Sequence, residues 1–247
     1  MNRWKAALIH LMISIGIVGA IAAYILYFWY PPVLFHMAGV DRLLLLIGGV
    51  DLIVGPLLTL VVFKVGKPSL RFDLSVIALA QAAFLALGLY SMIISRPVFM
   101  VASTRTFDLV FANEIAPERL AEAAGTPYAA LGFGSPRLVG ARMPSDPKEA
   151  ERVVDSAMSG HGDLQNMPRY FVAYQDVAPE LPAHGKPLMA GGEVSAEEAT
   201  IMQEAARGYG RHPEELRFMT LSSVRGYAVM LIDGKTGEVV GPAAVDP

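Results

Sequence analysis

Leu43-Leu-Leu-Leu-Ile-Gly-Gly-Val-Asp51-Leu-Ile-Val-Gly55-Pro56-Leu-Leu-Thr59-Leu-Val-Val-Phe63 is a 21-residue run in which Asp51 is the one charged side chain. A helix crosses the ~30 Å hydrocarbon core of a bilayer with about 20 mostly apolar residues, so this stretch predicts a membrane span. Two more stretches qualify, about 6–29 before it and 74–94 after it. The first follows a positive Met-Asn-Arg-Trp-Lys start, but its apolar run far exceeds the ~7–15 residues of a signal-peptide core. It reads as an uncleaved anchor. The apolar excess explains a chain that is 53% hydrophobic and only 17% charged, with mean hydropathy +0.43.

Charge divides the chain in two. Up to Ser95 it holds six basic and three acidic residues; from Arg96 it holds 14 basic and 20 acidic ones. The expected domains are therefore 1–95, a three-helix transmembrane domain, and 96–247, an extracytoplasmic α+β domain. Lysine and arginine favour the cytoplasmic side of a span. Arg3 and Lys5 precede the first span, and Lys64, Lys67 and Arg71 lie between the second and third. This places the N-terminus inside and the second domain outside, with Tyr24, Tyr27, Trp29 and Tyr30 as an outer aromatic belt closed by Pro31-Pro32.

Within the spans, counting at 1.5 Å per residue brings Asp51, Ser14 and Gln81 near the bilayer midplane and gives His10 and Thr59 a shared inner level. An ionisable residue at such depth faces protein or water rather than lipid. Two readings stand for Asp51: a neutral group hydrogen-bonded to Ser14, Gln81 or a backbone carbonyl, or a grip on a partner helix. Gly55-Pro56 is expected to interrupt the second helix, since proline lacks an N–H and crowds the carbonyl of Leu52. Small residues recur every fourth position at Gly16/Ala20, Gly19/Ala23 and Ala78/Ala82/Ala86, a pattern that lets helices approach closely.

The outer part predicts strands at 97–101 and 107–111 around a Thr104–Thr106 turn, and a short helix at 117–124 ended by Gly125. Asp146-Pro-Lys-Glu149 and Ser195-Ala-Glu-Glu198 have the composition of helix N-caps and open helices to about Met158 and Arg207. A meander of strands at 216–221, 226–232 and 238–240 follows, its last turn being Asp233-Gly-Lys-Thr-Gly237. The Gly/Pro-rich stretch 125–144 has no readable layout.

The chemistry this sequence excludes is broad. With no cysteine there is no disulfide framework, thiolate metal site or thiol nucleophile. An acidic outer part gives no case for nucleic-acid binding. The five histidines are scattered, without metal-ligand spacing. Ser159-Gly-His161-Gly-Asp163 holds the residue types of a catalytic triad, but neighbours in a glycine loop cannot align as one. Gly132-Phe-Gly134-Ser135-Pro136 fits neither a phosphate loop nor a nucleophile elbow. Gly48-Gly-Val-Asp51 approaches an intramembrane aspartyl-peptidase pattern but fails at Val50, and such chemistry needs two carboxylates sharing a proton. Neither an enzyme, a cofactor nor a small-molecule substrate is indicated.

One family shares these features. Met1-Asn-Arg-Trp-Lys-Ala-Ala-Leu-Ile-His10, Trp29-Tyr-Pro-Pro32, and the stretch from Gly49 through Asp51, Gly55-Pro56, Thr59 and Lys64 to Gly66-Lys67-Pro68-Ser-Leu70-Arg71-Phe-Asp73-Leu74 resemble the type IV pilin accessory proteins, the TfpX/TfpZ group. Gln81, Tyr90 and Arg96-Pro97 continue the likeness; beyond residue 100 it rests on Met167-Pro-Arg-Tyr170, Asp233–Gly241 and Asp246-Pro247. The resemblance implies a multi-pass protein of the bacterial inner membrane with a periplasmic C-terminal domain, a pilin-specific chaperone or assembly factor whose partner is a type IV major pilin. No catalytic residue carries over. On that footing the candidate partner-binding residues are Asp51, Gly55, Pro56, Thr59, Ala78, Gln81, Ala82, Ala86, His10 and Ser14, with the Ala78/Ala82/Ala86 stripe as first choice for cradling a pilin helix and the outer domain reading the pilin head. The competing expectations are an accessory subunit of another envelope complex and a membrane-tethered periplasmic ligand-binding domain.

Overall fold

The computed structural model describes residues 2–30, 32–189 and 194–245; Pro31 of the expected aromatic belt and the terminal Asp246-Pro247 lie outside them. The chain divides into two compact units, Met1–Pro31 with Gly39–Ile94, and Pro32–Ala38 with Ser95–Pro247.

Among the described residues three helices, all in the first unit, are long and apolar enough to cross a membrane: Arg3–Phe28, Leu44–Val62 and Leu70–Ile94. Helix α1 (Arg3–Phe28) opens with the Asn2 side chain accepting from the Lys5 N–H at 2.9 Å. The second span is built from α3 (Val40–Gly49), one π turn (Val50–Val54) and α4 (Gly55–Val62), and the third is α5 (Leu70–Ile94). Most large apolar side chains of these helices point outward, Leu45, Val61 and Leu79 among them, as a lipid solvent requires.

The expected interruption at Gly55-Pro56 takes a different form: the helix is continuous. The Gly55 N–H reaches back five residues to the Val50 carbonyl, and Pro56, which has no N–H to give, follows in the first turn of α4. Close packing of the second and third spans uses two glycines. A Cβ on Gly55 would fall 2.0 Å from the Gln81 amide nitrogen, and one on Gly88 would fall 2.6 Å from the Ile47 side chain.

The second unit opens with α2 (Pro32–Met37) and then, after the third span, forms a mixed sheet. Its strands are β1 (Pro97–Ala102), β2 (Thr106–Phe111), β3 (Arg137–Ala141), β4 (Phe171–Ala173), β5 (Lys186–Pro187), β6 (Leu216–Ser223), β7 (Gly226–Asp233) and β8 (Val239–Ala243). They lie in the order β4-β3-β1-β2-β6-β7-β8, with β5 also paired to β6. The β1–β3 and β2–β6 pairs are parallel and the others antiparallel. Strand β1 is buried at all six positions, which is why it reads as a solid apolar run rather than an alternation.

Helices α6 (Pro117–Glu122), α7 (Pro147–Met158), α8 (Tyr174–Val177) and α9 (Ala196–Gly208) complete the unit. The two predicted caps are present: Asp146 accepts from the Glu149 N–H, and Ser195 with Glu198 forms a capping box. One core gathers Phe99, Val101, Val110, Val139 and Phe171; another packs Met202 and Ala206 of α9 against Phe218, Val229 and Leu231. Segment α2 belongs to this unit too, lying against β7 and β8 with Leu34 and Ala38 buried.

The Asp233–Gly237 turn is a fixed point of the unit. Asp233 Oδ1 accepts from the N–H groups of Lys235 and Thr236, each at 2.9 Å, and Arg211 pairs with Oδ2. Gly237 has φ +71°, and a Cβ there would lie 1.8 Å from the Ala178 carbonyl oxygen. The Tyr174 hydroxyl donates to the Gly237 carbonyl at 2.5 Å, and burial pushes its ionisation well above that of an ordinary tyrosine.

Candidate functional site

The second span packs against both α1 and α5 and forms the floor of a groove between them. Two adjoining cavities run along this groove, one of about 320 Å³ bordered by His10, Ile13, Thr59 and Ala78, the other of about 210 Å³ bordered by Ser14, Ile17, Asp51, Gln81 and Ala82. His10, Ile13 and Ala78 belong to both.

The polar groups of the floor follow from the π turn. Its five-residue hydrogen bond takes the Gly55 N–H to Val50, away from the Asp51 carbonyl it would meet in an α-helix. The next residue able to serve that carbonyl in π register is Pro56, which has no N–H. Gln81 supplies the donor: its Nε2 lies 3.4 Å from the Asp51 carbonyl oxygen and 3.3 Å from Asp51 Oδ1. The carbonyl reached by an outside donor is thus that of Asp51, where proline geometry alone pointed to Leu52. Asp51 is 5% exposed, and its Oδ2 is buried with no hydrogen-bond partner. At the other level His10 Nδ1 and Thr59 Oγ1 are 2.6 Å apart.

Nine of the ten residues singled out from sequence meet here. Asp51, Thr59, His10, Ser14, Gln81, Ala78 and Ala82 line the groove; Gly55 and Pro56 are buried beneath it, with Gly55 giving Gln81 its room. Ala86 is exposed one turn beyond Ala82 and lines neither cavity. The aliphatic walls, Ile13 and Ile17 among them, escaped sequence reasoning because a groove-lining isoleucine in a span carries no signal that separates it from a lipid-facing one.

The sequence motifs of the second unit have structural employment. Ser159–Asp163 closes α7: the His161 N–H bonds the Ser156 carbonyl, Gly160 and Gly162 take positive φ, and Asp163 caps the following turn. Arg96 donates through Nε to the Gly132 carbonyl and stacks over Phe133. Arg169 of the Met167–Tyr170 motif pairs with Glu149 at 2.9 Å. Asp108 accepts from the hydroxyls of Ser222 and Thr106; burial pushes its carboxyl, and that of Glu114, upward. A wide concavity of about 450 Å³ borders Arg207, Arg211 and His212, but Arg211 is already engaged by Asp233. Among the described residues no cluster of side chains is arranged to hold a metal ion.

No family model matches the chain, and no solved structure matches it. Curated proteins do. The fimbrial assembly proteins of serogroups E1 and I of Dichelobacter nodosus are each 27% identical over 252 aligned residues, covering 98% of this chain and 95% of theirs. The protein of serogroups C1 and C2 is 29% identical over 124 residues, 48% of this chain and 92% of its own length. Likeness of this extent, with three apolar helices long enough to span a bilayer, supports a fimbrial assembly family and a role in fimbrial biogenesis.

Proposed function

We propose that this protein is an inner-membrane accessory factor of type IV pilus biogenesis, a pilin-specific chaperone like those of the TfpX/TfpZ group. Its N-terminus is cytoplasmic and its C-terminal domain periplasmic, as the basic residues flanking the spans favour. The observation that carries this reading is the similarity to fimbrial assembly proteins along nearly the whole chain, so that both the spans and the outer domain are shared. Before assembly a pilin rests in the bilayer by an apolar N-terminal helix, with its head outside. A factor that handles it needs a helix-sized cleft in the membrane and a surface beyond it. The groove between α1 and α5 supplies the cleft, with small residues for close approach and a polar floor. The acidic outer domain supplies the surface that would distinguish one pilin head from another.

The test is affinity purification of the tagged protein from its native membranes in mild detergent, with bound proteins identified by mass spectrometry. A major pilin near stoichiometry is the expected result. Other envelope proteins without pilin, at normal pilin abundance, would overturn the proposal in favour of an accessory subunit of a different complex. Asp51→Ala is expected to lower pilin recovery several-fold while leaving the amount of the protein itself unchanged; equal recovery would remove the groove from the account.

A further inference from the structure

We infer that the helix received by the groove carries a hydrogen-bond donor at the level of Asp51, and that this one contact fixes the register in which the helix is held. The inference rests on the helix-cradling reading above and specifies its chemistry. Asp51 is 5% exposed and lines the groove; Gln81 satisfies Oδ1, and Oδ2 is buried without a partner. Water does not reach the hydrocarbon core to repair such a deficit, and a buried polar atom left unmade costs more than a made bond contributes. The other polar pair on the floor, His10 and Thr59, is matched internally at 2.6 Å. Among the described residues Asp51 Oδ2 is the one buried side-chain polar atom without a partner, so the buried unmet demand lies at one depth.

The walls restrict what can meet it. Ile13 and Ile17 offer only apolar contact, and Ala78 and Ala82 leave room for a backbone rather than for a long side chain. The occupant that fits is one apolar transmembrane helix, that of the fimbrial subunit, with a hydroxyl or amide side chain turned toward Asp51. Such groups donate and accept, so they satisfy Oδ2 whether or not it bears a proton. An apolar helix in an apolar cleft has little to oppose sliding along its axis; a single donor–acceptor pair at depth sets both its height and its rotation, much as one polar core position sets register in a coiled coil.

A photo-reactive residue placed at Ile17 of the full chain, in native membranes, reads the register directly. The expected adduct joins one position of the subunit's helix, next to a serine, threonine, asparagine or glutamine. Asp51→Leu is expected to lower its yield roughly threefold to tenfold, the worth of one intramembrane hydrogen bond, and Asp51→Asn to restore it. Replacing the subunit's donor by alanine should give the same loss, with no further loss on combination with Asp51→Leu; this arm leaves the present protein untouched. Unchanged yield in Asp51→Leu, equal loss in Ser14→Ala, or adducts with lipid or a second copy of this chain would each overturn the inference. An Asp51-dependent adduct with the donor-bearing helix of a non-fimbrial protein would uphold it and overturn the pilin reading.

Discussion

Two aspartates, one within the second span and one at the last turn of the second unit, show how differently one carboxylate can be employed. Asp233 has both oxygens matched, Oδ1 by the N–H groups of Thr236 and Lys235 and Oδ2 by Arg211. Those N–H groups, foremost that of Thr236, hold its ionisation below the usual carboxylate range. A carboxyl whose folded value is depressed stabilises the fold above its unfolded value, near 3.9, and loses that contribution as pH falls through the lower folded value. Asp233→Ala is therefore expected to destabilise the second unit by about 1 kcal/mol at pH 7, in the range of a lost cap. The deficit should shrink as pH falls below about 4; urea unfolding of the full chain in detergent, followed by circular dichroism, gives both numbers. A deficit constant down to pH 3 would discard the account. Asp51 is the contrary case, with one oxygen matched and one not. The sequence shows Asp51 plainly, as a charge in an apolar run, and depth counting points to Gln81; the idle oxygen depends on side-chain geometry that no spacing encodes.

At the scale of the element, the π turn sets the phase of the groove floor. Eight residues separate Asp51 from Thr59, and a regular α-helix would turn them about 80° out of line. A π turn winds less per residue, because its bonds span five residues rather than four, and it takes back that offset. Both side chains then face the groove. Pro56→Ala restores an N–H and permits ordinary α-helical bonding, swinging the two polar levels apart. We expect pilin recovery to fall at least as far as with Asp51→Ala, with the protein still present in the membrane; wild-type recovery would separate the π turn from function. The three spans, the paired strands β1 and β2, the capped helices α7 and α9 and the final meander were all legible, since each carries its own periodicity, cap or turn. Strand β3 was not. Arg137-Leu-Val-Gly-Ala141 has a charged start and a glycine, and it is a strand because β1 lies beside it in parallel. Gly140 is required because a Cβ there would meet the Val177 side chain at 2.6 Å.

At the scale of the whole molecule, α2 alters the plan that hydropathy suggests. The sequence places the outer domain after residue 95, yet Pro32–Ala38 is part of that unit. Leu34 and Ala38 are 3% and 1% exposed, and Arg225, stacked on Phe111, donates to the Ala38 carbonyl at 3.2 Å. A seven-residue segment within the link between two spans gives no sequence sign of such docking, because the strands it lies against, β7 and β8, are at the far end of the chain. The second unit produced from residue 95 onward is expected to be less stable than the same unit with residues 32–38 joined by a flexible linker. The difference should be roughly 2 kcal/mol, the worth of burying one leucine; identical melting curves would show that α2 is a passenger. The same docking imposes a timetable. Ala38 and Arg225 are 187 residues apart, which at ribosomal speeds of 5–20 residues per second is about 10–40 s of synthesis. For most of that interval the spans on either side of α2 are already made while the strands it lies against are not, so the docking of α2 marks the moment at which β7 and β8 have been delivered.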